Sequence, residues 1–196
     1  MKILIISSSP RLRSNTLALA QETINRLNEL GAETEIYSIR EKDHQPCRGC
    51  MACVRIKECR IKDDMKALHK KMQEADGIIM ASPVYFYDIN AQCKTIIDRS
   101  YAVLPLNGNK VGASILTAGS IGNSGALKTL ETFFAGHGIS NVGSVSIYNV
   151  KQEMIKAKES ARKLGDKMYK AIEFMKTADF EPFAMHNHFS YGTHTF

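Results

Sequence analysis

Four of the five cysteines in this chain of 196 residues lie within one short segment. Two residues separate the first from the second and the second from the third, and five precede the last, which gives the set Cys47, Cys50, Cys53 and Cys59. A disulfide framework would spread cysteines along the chain, so this crowding favours metal binding in a reducing compartment. Four thiolates ligate either a [4Fe–4S] cluster or a tetrahedral zinc ion. The cysteines alone leave three alternatives: a cluster, zinc, or thiols that hold no metal.

Residues 7–16 have a composition suited to binding phosphate. They follow the apolar run of residues 3–6 and precede a helical pattern of apolar residues over 17–30. Hydroxyls, two guanidinium groups and the free backbone N–H groups of a helix N-terminus are what a dianionic phosphate requires. The glycines and the Lys-Ser/Thr pair of a Walker loop are absent. A polar turn before a capped helix is the structural alternative.

Two further segments suit a flat aromatic ligand. Residues 82–89 contain three aromatic side chains, which favours a wall against a ring, although the packing of a tight turn is the alternative. Residues 117–125 carry glycines at intervals of three, and such small residues allow a ligand to approach the backbone closely. Their spacing is not the GxGxxG pattern, so a dinucleotide fingerprint is not expected.

The remaining sequence alternates short apolar runs with longer helical patterns. We predict strands over residues 3–6, 34–39, 77–81, 111–116 and 142–148, and helices over residues 17–30, 91–101, 127–134 and 151–175, with a further helix that begins at Asp63 and Asp64. Five apolar runs separated by helices predict a parallel sheet covered on both faces. A doubly wound sheet binds its ligand at the carboxyl ends of its strands, and the three segments described above follow such ends.

Together these segments resemble the flavodoxin-like NAD(P)H-dependent FMN reductase superfamily and, within it, the iron–sulfur flavoprotein family. The resemblance rests on Ser-Ser-Pro-Arg and Ser-Asn-Thr in the first segment, Ser-Pro-Val-Tyr-Phe in the second, Thr-Ala-Gly in the third, and the four-cysteine motif. It implies an α/β fold of the flavodoxin-like class, with a doubly wound five-stranded parallel sheet and a cysteine-rich insertion after the second strand. We expect a single FMN-binding domain over residues 1–176, with the cysteine loop at 44–62 and a C-terminal arm at 177–196.

The resemblance also implies which residues hold the cofactors. The first segment would face the FMN phosphate, and the second and third would flank the flavin ring; the residues concerned are Ser9, Arg11, Ser14, Asn15, Thr16, Pro83, Val84, Tyr85, Phe86, Thr117, Ala118 and Gly119. The four cysteines would ligate a [4Fe–4S] cluster. We expect no catalytic nucleophile or general base, because such cofactors carry the electron chemistry themselves.

These expectations describe an electron-transfer flavoprotein that passes electrons between a redox partner, such as ferredoxin or NAD(P)H, and an acceptor. The resemblance implies a homo-oligomer, a dimer or a tetramer. A formal net charge of +6 suits a phosphate and an acidic redox protein. Two alternatives stay open: an NAD(P)H-dependent FMN, quinone or nitroaromatic reductase without a cluster, and a thiol or zinc redox sensor.

Other features of the sequence argue against several classes of protein. No apolar run approaches the roughly 18–20 residues of a membrane span and no signal peptide is evident, so we expect a cytoplasmic protein that binds no membrane. The basic last helix has interleaved apolar positions, which indicates core packing rather than nucleic-acid binding.

Three arginines lie within or beside the cysteine motif and would either balance the charge of a cluster or be solvated: Arg48, Arg55 and Arg60. We expect Cys93 to be a buried thiol, and Asp98 and Arg99 to cap or pair near its helix end without a catalytic role.

Overall fold

The computed structural model describes residues 1–106, 109–148 and 150–177. The strands are β1 (Lys2–Ser7), β2 (Glu33–Ser38), β3 (Gly77–Tyr85), β4 (Asp88–Ile89), β5 (Val111–Thr117) and β6 (Ser140–Ile147). The helices are α1 (Asn15–Glu29), α2 (Ala52–Ile56), α3 (Met65–Glu74), α4 (Ala91–Ser100), α5 (Asn123–Gly136) and α6 (Val150–Thr177), and a 3₁₀ turn at Tyr101–Val103 follows α4. The predicted C-terminal arm, residues 177–196, lies outside the described residues except for Thr177.

The sheet has the strand order β2-β1-β3-β5-β6, and these five strands are parallel. The short strand β4 pairs with β3 in the antiparallel direction and lies outside this order. The chain leaves β1 towards one side of the sheet to form β2, and then crosses to the other side to form β3. A crevice therefore opens at the carboxyl ends of β1 and β3, which is where doubly wound sheets bind ligands. The predicted parallel, doubly wound sheet is confirmed.

Both faces of the sheet are buried, and successive residues of β1 point to opposite faces. Leu4 and Ile6 pack in one cluster with residues of α3, α4 and α5. Ile3 and Ile5 pack in a second cluster with residues of α1 and α6. Burial on both faces explains why the strands are continuous apolar runs in the sequence. Cys93 belongs to the first cluster and is fully buried, as predicted.

The structure differs from the sequence-based prediction at the end of β3. The prediction ended this strand at Ala81, before Ser82-Pro83, whereas the strand continues to Tyr85. Pairing with β1 ends at Ala81, while pairing with β5 continues to Pro83. Pro83 is tolerated because β1 no longer pairs with β3 at this position. The N–H that proline lacks would face this unpaired side, so no hydrogen bond between strands is lost.

The cysteine segment also contains the short helix α2, which the sequence did not indicate.

Within the described ranges, no helix is both long and apolar enough to cross a membrane.

Candidate functional site

A cleft of about 270 Å³ lies at the carboxyl ends of β1, β3 and β5. Three loops that are far apart in the sequence line it: the β1–α1 loop, the end of β3, and the loop after β5. Its lining residues are Ser9, Arg11, Ser14, Asn15, Thr16, Pro83, Val84, Tyr85, Thr117, Ala118 and Gly119. The structure thus brings together all the residues predicted to contact FMN except Phe86.

The β1–α1 loop presents the N-terminus of α1 to this cleft. Ser14 is the N-cap residue, and its hydroxyl accepts a hydrogen bond of 3.1 Å from the backbone N–H of Leu17. Ser9 is almost fully buried, and its hydroxyl accepts a weak hydrogen bond of 3.4 Å from the backbone N–H of Arg11. Arg11 is the one lining residue with a formal charge. A helix N-terminus beside a guanidinium group makes this end of the cleft electropositive and suited to an anion.

Two buried threonine hydroxyls join opposite walls of the cleft. Thr16 Oγ1 on α1 and Thr117 Oγ1 at the end of β5 lie 2.6 Å apart and share a hydrogen bond. Both residues are buried, so the bond is shielded from water. The bond fixes the distance between the first and third loops. Thr16 lies in the first turn of α1, where its backbone N–H has no partner within the helix and can donate to a ligand.

The second loop is a tight hairpin between β3 and β4. Phe86 and Tyr87 occupy the turn with φ angles of 47° and 68°, in the left-handed region that favours glycine. Phe86 is 96% exposed at the tip of this turn and lies outside the cleft lining. Positive φ angles at two bulky residues are strained, and such strain concentrates at ligand sites. The sequence did not reveal that β3 continues to Tyr85 and then turns outwards, so the contact of Phe86 with the flavin ring stays a prediction.

Two of the three glycines in residues 117–125 pack against this hairpin. A Cβ atom added to Gly122 would lie 2.6 Å from Tyr87 Cα, and one added to Gly125 would lie 2.5 Å from the Tyr87 carbonyl oxygen. Close backbone packing explains Gly125, and at Gly122 a φ angle of 103° is a second reason for glycine. Gly119 differs, because a Cβ atom there would meet nothing within 4 Å. Among these three, Gly119 is therefore the glycine that leaves space in the cleft.

Asn90 connects the β1–α1 loop to the end of β3, a role that the sequence did not predict. Its side chain is buried, and Nδ2 donates a 2.7 Å hydrogen bond to the carbonyl oxygen of Ser8. Its Oδ1 accepts hydrogen bonds from the Ser82 hydroxyl at 3.2 Å and from the backbone N–H of Cys93 at 3.2 Å, which caps α4. An asparagine before a helix is a capping signal in the sequence. Its contact with Ser8, 82 residues away, has no such local signal.

The cysteine loop leaves the sheet after β2 and is closed at its base. The backbone N–H of Asp43 donates to Asp64 Oδ2 at 2.8 Å, and that of Gln45 donates to Asp63 Oδ2 at 2.9 Å. Tyr37, at the end of β2, donates through its hydroxyl to the Asp64 carbonyl oxygen at 3.2 Å. The two ends of the loop are thus held together, and all four cysteines lie between them.

The four cysteines of this loop are free thiols. Cys47 and Cys50 are exposed, whereas Cys53 and Cys59 are partly buried. Burial is the largest cause that raises the pKa of the Cys53 thiol, and the charges of the other three cysteines raise it further. In residues 1–106, 109–148 and 150–177, no three His, Cys, Asp or Glu side chains converge closely enough to hold a metal ion. The loop supplies the donor set of a four-thiolate site in number and type.

Arg99 on α4 reaches the base of the cysteine loop, which the sequence did not reveal. Its guanidinium forms an ion pair with Asp63, and the two side chains are 1% and 0% exposed. Burial opposes the charge of Asp63, but hydrogen bonds from Arg99 and from the backbone N–H groups of Gln45 and Met65 outweigh it and lower the pKa of this carboxyl. Nη2 of Arg99 also donates to Cys59 Sγ at 3.4 Å. By contrast, the three arginines expected either to balance a cluster or to be solvated are exposed: Arg48, Arg55 and Arg60.

Comparison with solved structures defines the class of protein. RosB, solved with bound 8-demethyl-8-formylriboflavin-5′-phosphate, superposes with a TM-score of 0.79 at 15% identity and covers 92% of this chain and 82% of its own. An archaeal flavodoxin superposes with a TM-score of 0.61 at 16% identity, over 88% of this chain and 99% of its own. At these identities the likeness concerns the fold, and it confirms the flavodoxin-like α/β class.

Sequence relatives define the family within that class. The model of the NADPH-dependent FMN reductase family matches residues 1–153. An iron–sulfur flavoprotein of Methanocaldococcus jannaschii is 41% identical over 150 residues, which cover 73% of this chain and 76% of the relative. An iron–sulfur flavoprotein of Methanosarcina thermophila is 36% identical over 181 residues, covering 85% and 94%. The chain therefore belongs to the iron–sulfur flavoprotein family, within the NADPH-dependent FMN reductases, and is a flavin-dependent oxidoreductase.

We expect Gly125→Ala to destabilise the hairpin beside the cleft. The added methyl group would collide with the Tyr87 carbonyl oxygen, and overpacking of this kind costs about 1–3 kcal/mol, more than the roughly 1 kcal/mol that alanine gains over glycine in a helix. Urea unfolding measures the change. Gly136→Ala, in the same helix but with open space at its Cβ position, is the matched control and should be neutral or stabilising. Equal free energies of unfolding for the two variants would contradict the role assigned to Gly125.

Proposed function

We propose that this chain binds FMN in the cleft and a [4Fe–4S] cluster on the cysteine loop, and that it transfers electrons between a redox partner and an acceptor. The observation that carries the proposal is the presence of both donor sets in one chain: eleven of the predicted flavin-contacting residues line one cleft, and four free thiols lie on one closed loop. The names of the relatives support both cofactors. FMN exchanges one or two electrons when bound, and a cluster exchanges one at a time.

The cleft fits FMN in charge and in shape. Its phosphate end combines Ser9, Arg11 and the first turn of α1, which supply hydroxyl, guanidinium and backbone N–H donors. Pro83, Val84 and Tyr85 would border one face of the ring, with the loop from Thr117 to Gly119 opposite. The open space at Gly119 supports this arrangement. These residues bind and orient the cofactor, and none of them is assigned a proton-transfer step.

The cysteine loop fits a cluster in its donors and its attachment. Cys47, Cys50, Cys53 and Cys59 would be the ligands, since thiolate sulfur is the usual ligand of iron–sulfur clusters. Hydrogen bonds at the base hold the two ends of this loop together, on either side of the cysteines. The partial burial of Cys53 and Cys59 would shield one side of the centre from water.

The surface charge of the loop supports an acidic electron donor such as ferredoxin. Residues 44–62 carry five basic side chains and a single acidic one, Glu58, which pairs with Lys66. The five basic residues are exposed: Arg48, Arg55, Lys57, Arg60 and Lys62. Opposite surface charge accelerates association with an acidic partner.

We further propose that the protein works as a homo-oligomer, a dimer or a tetramer. Phe86 at the hairpin tip and Met51 beside α2 are 96% and 64% exposed. Exposed apolar side chains of this size are suited to contacts between protein chains.

A second candidate function is an NAD(P)H-dependent reductase of FMN, quinones or nitroaromatic compounds that needs no cluster. The description of the matching family model favours it. The two candidates differ in whether the cysteine loop takes part in electron transfer.

We expect Arg11→Gln to weaken FMN binding and to leave riboflavin binding unchanged, because riboflavin lacks the phosphate. Loss of a charge-assisted hydrogen bond costs about 1.5–3 kcal/mol, or roughly 10- to 100-fold in affinity. Fluorescence titration of the apoprotein with each flavin measures both constants. Arg13→Gln is the matched control, because Arg13 lies in the same loop but outside the cleft lining. Equal losses for FMN and riboflavin in Arg11→Gln would contradict the phosphate contact.

Protein purified without oxygen should contain about four iron atoms, four sulfides and one FMN per subunit, with no stoichiometric zinc. Elemental analysis, acid-labile sulfide assay and flavin absorbance measure these contents. Stoichiometric zinc, or no metal under strict anaerobiosis, would contradict the proposal.

Two cysteine variants test the ligand assignment in the same assay. Cys59→Ala should lose iron and sulfide but keep FMN, because the cleft is separate from the loop. Cys93→Ala should keep all three, since Cys93 is buried in the core away from the loop. Undiminished NAD(P)H oxidation with an organic acceptor in Cys59→Ala would favour the reductase without a cluster.

A further inference from the structure

The guanidinium of Arg99 is the point where α4 meets the cysteine loop. Nη1 donates to the Gln45 carbonyl oxygen at 2.9 Å, and Nη2 donates to Asp63 Oδ1 at 2.8 Å and to Cys59 Sγ at 3.4 Å. A longer contact of 3.5 Å joins Nη2 to the Ile61 carbonyl oxygen. One side chain therefore contacts both ends of the loop and one of its thiols.

The charge of Arg99 is already balanced by Asp63. Both carboxylate oxygens of Asp63 accept from the guanidinium, in the two-pronged geometry that arginine forms and lysine does not. A buried pair of this kind carries no net charge. What it presents to Cys59 is an oriented N–H donor.

We propose that Arg99 is a positioning residue for the metal centre: its Nη2–H holds Cys59 Sγ in place and raises the reduction potential of the cluster, while Asp63 holds Arg99 and opposes that rise. The inference rests on the proposed cluster. A hydrogen bond to a ligand sulfur withdraws electron density and so favours the reduced state. The carboxylate adds negative charge nearby, which favours the oxidised state.

Burial distinguishes Arg99 from the other arginines near the cysteines. The side chain of Arg99 is 1% exposed, so its hydrogen bond is not exchanged for one with water. Arg48, Arg55 and Arg60 are exposed, and water and salt screen their charges. The side chain with the strongest effect on the cluster is therefore one that lies 40 residues from Cys59 in the sequence.

The test compares three variants of the anaerobically purified protein by redox titration of the cluster, followed by electron paramagnetic resonance. Arg99→Lys keeps the positive charge but not the two-pronged geometry, and should lower the midpoint potential. Asp63→Asn removes the opposing charge and should raise it. We expect changes of roughly tenfold in the reduction equilibrium, about 59 mV for a one-electron couple. Arg60→Lys, in the same loop but exposed, should leave the potential unchanged.

Opposite shifts distinguish this role from a merely structural one, which would weaken cluster retention without moving the potential in both directions. Loss of the cluster from Arg99→Lys with FMN retained does not separate the two roles, and the Asp63→Asn potential then decides between them. If Arg99→Lys does not fold, the Asp63→Asn potential decides: a rise supports the inference. Unchanged potentials, or shifts in the same direction, would overturn it.

The wild-type protein separates this inference from the proposed function. A wild-type protein without iron would contradict the proposed function, whereas a loaded wild type with unresponsive variants would contradict this inference alone.

Discussion

The buried ion pair between Asp63 and Arg99 is the contact on which the cysteine loop depends. Removing two charges from water is costly, and only good geometry with further hydrogen bonds compensates for that cost. Both side chains meet this condition, because Asp63 also accepts from the backbone N–H groups of Gln45 and Met65. The pair therefore joins the beginning of the loop, the start of α3 and the end of α4. The loop has little apolar burial of its own, since Ala52 is the one buried residue of α2.

The flavin cleft depends on a different set of contacts, which act across the sheet. The strand order places the β1–α1 loop beside the end of β3, and Asn90 then joins these two through Ser8 and Ser82. The hydrogen bond between Thr16 and Thr117 joins the loop after β5 to the start of α1. The cleft is thus fixed by buried polar bonds between loops that a rigid sheet brings together, an arrangement that suits the binding of a rigid cofactor.

Sequence reasoning succeeded where the signal is local. Continuous apolar runs revealed the parallel sheet, and the polar segment after β1 revealed the electropositive end of the cleft. Contacts between side chains that are far apart in the sequence were not predicted. Arg99 and Asp63 are 36 residues apart, and neither residue type at those positions predicts the other. The glycines after β5 indicated close approach correctly, but Gly122 and Gly125 face the hairpin rather than a ligand. The outward turn at Phe86 and Tyr87 was not predicted, because neither of its two residues with positive φ is a glycine or asparagine.

The proposed function requires that the cysteine loop, loaded with a cluster, takes part in electron transfer from the redox partner. The most direct measurement mixes reduced ferredoxin anaerobically with FMN-loaded protein and follows the bleaching of flavin absorbance in the wild type and in Cys59→Ala. We expect rapid bleaching in the wild type and little in the variant, although both carry FMN. Equal rates of flavin reduction in the two proteins would contradict it.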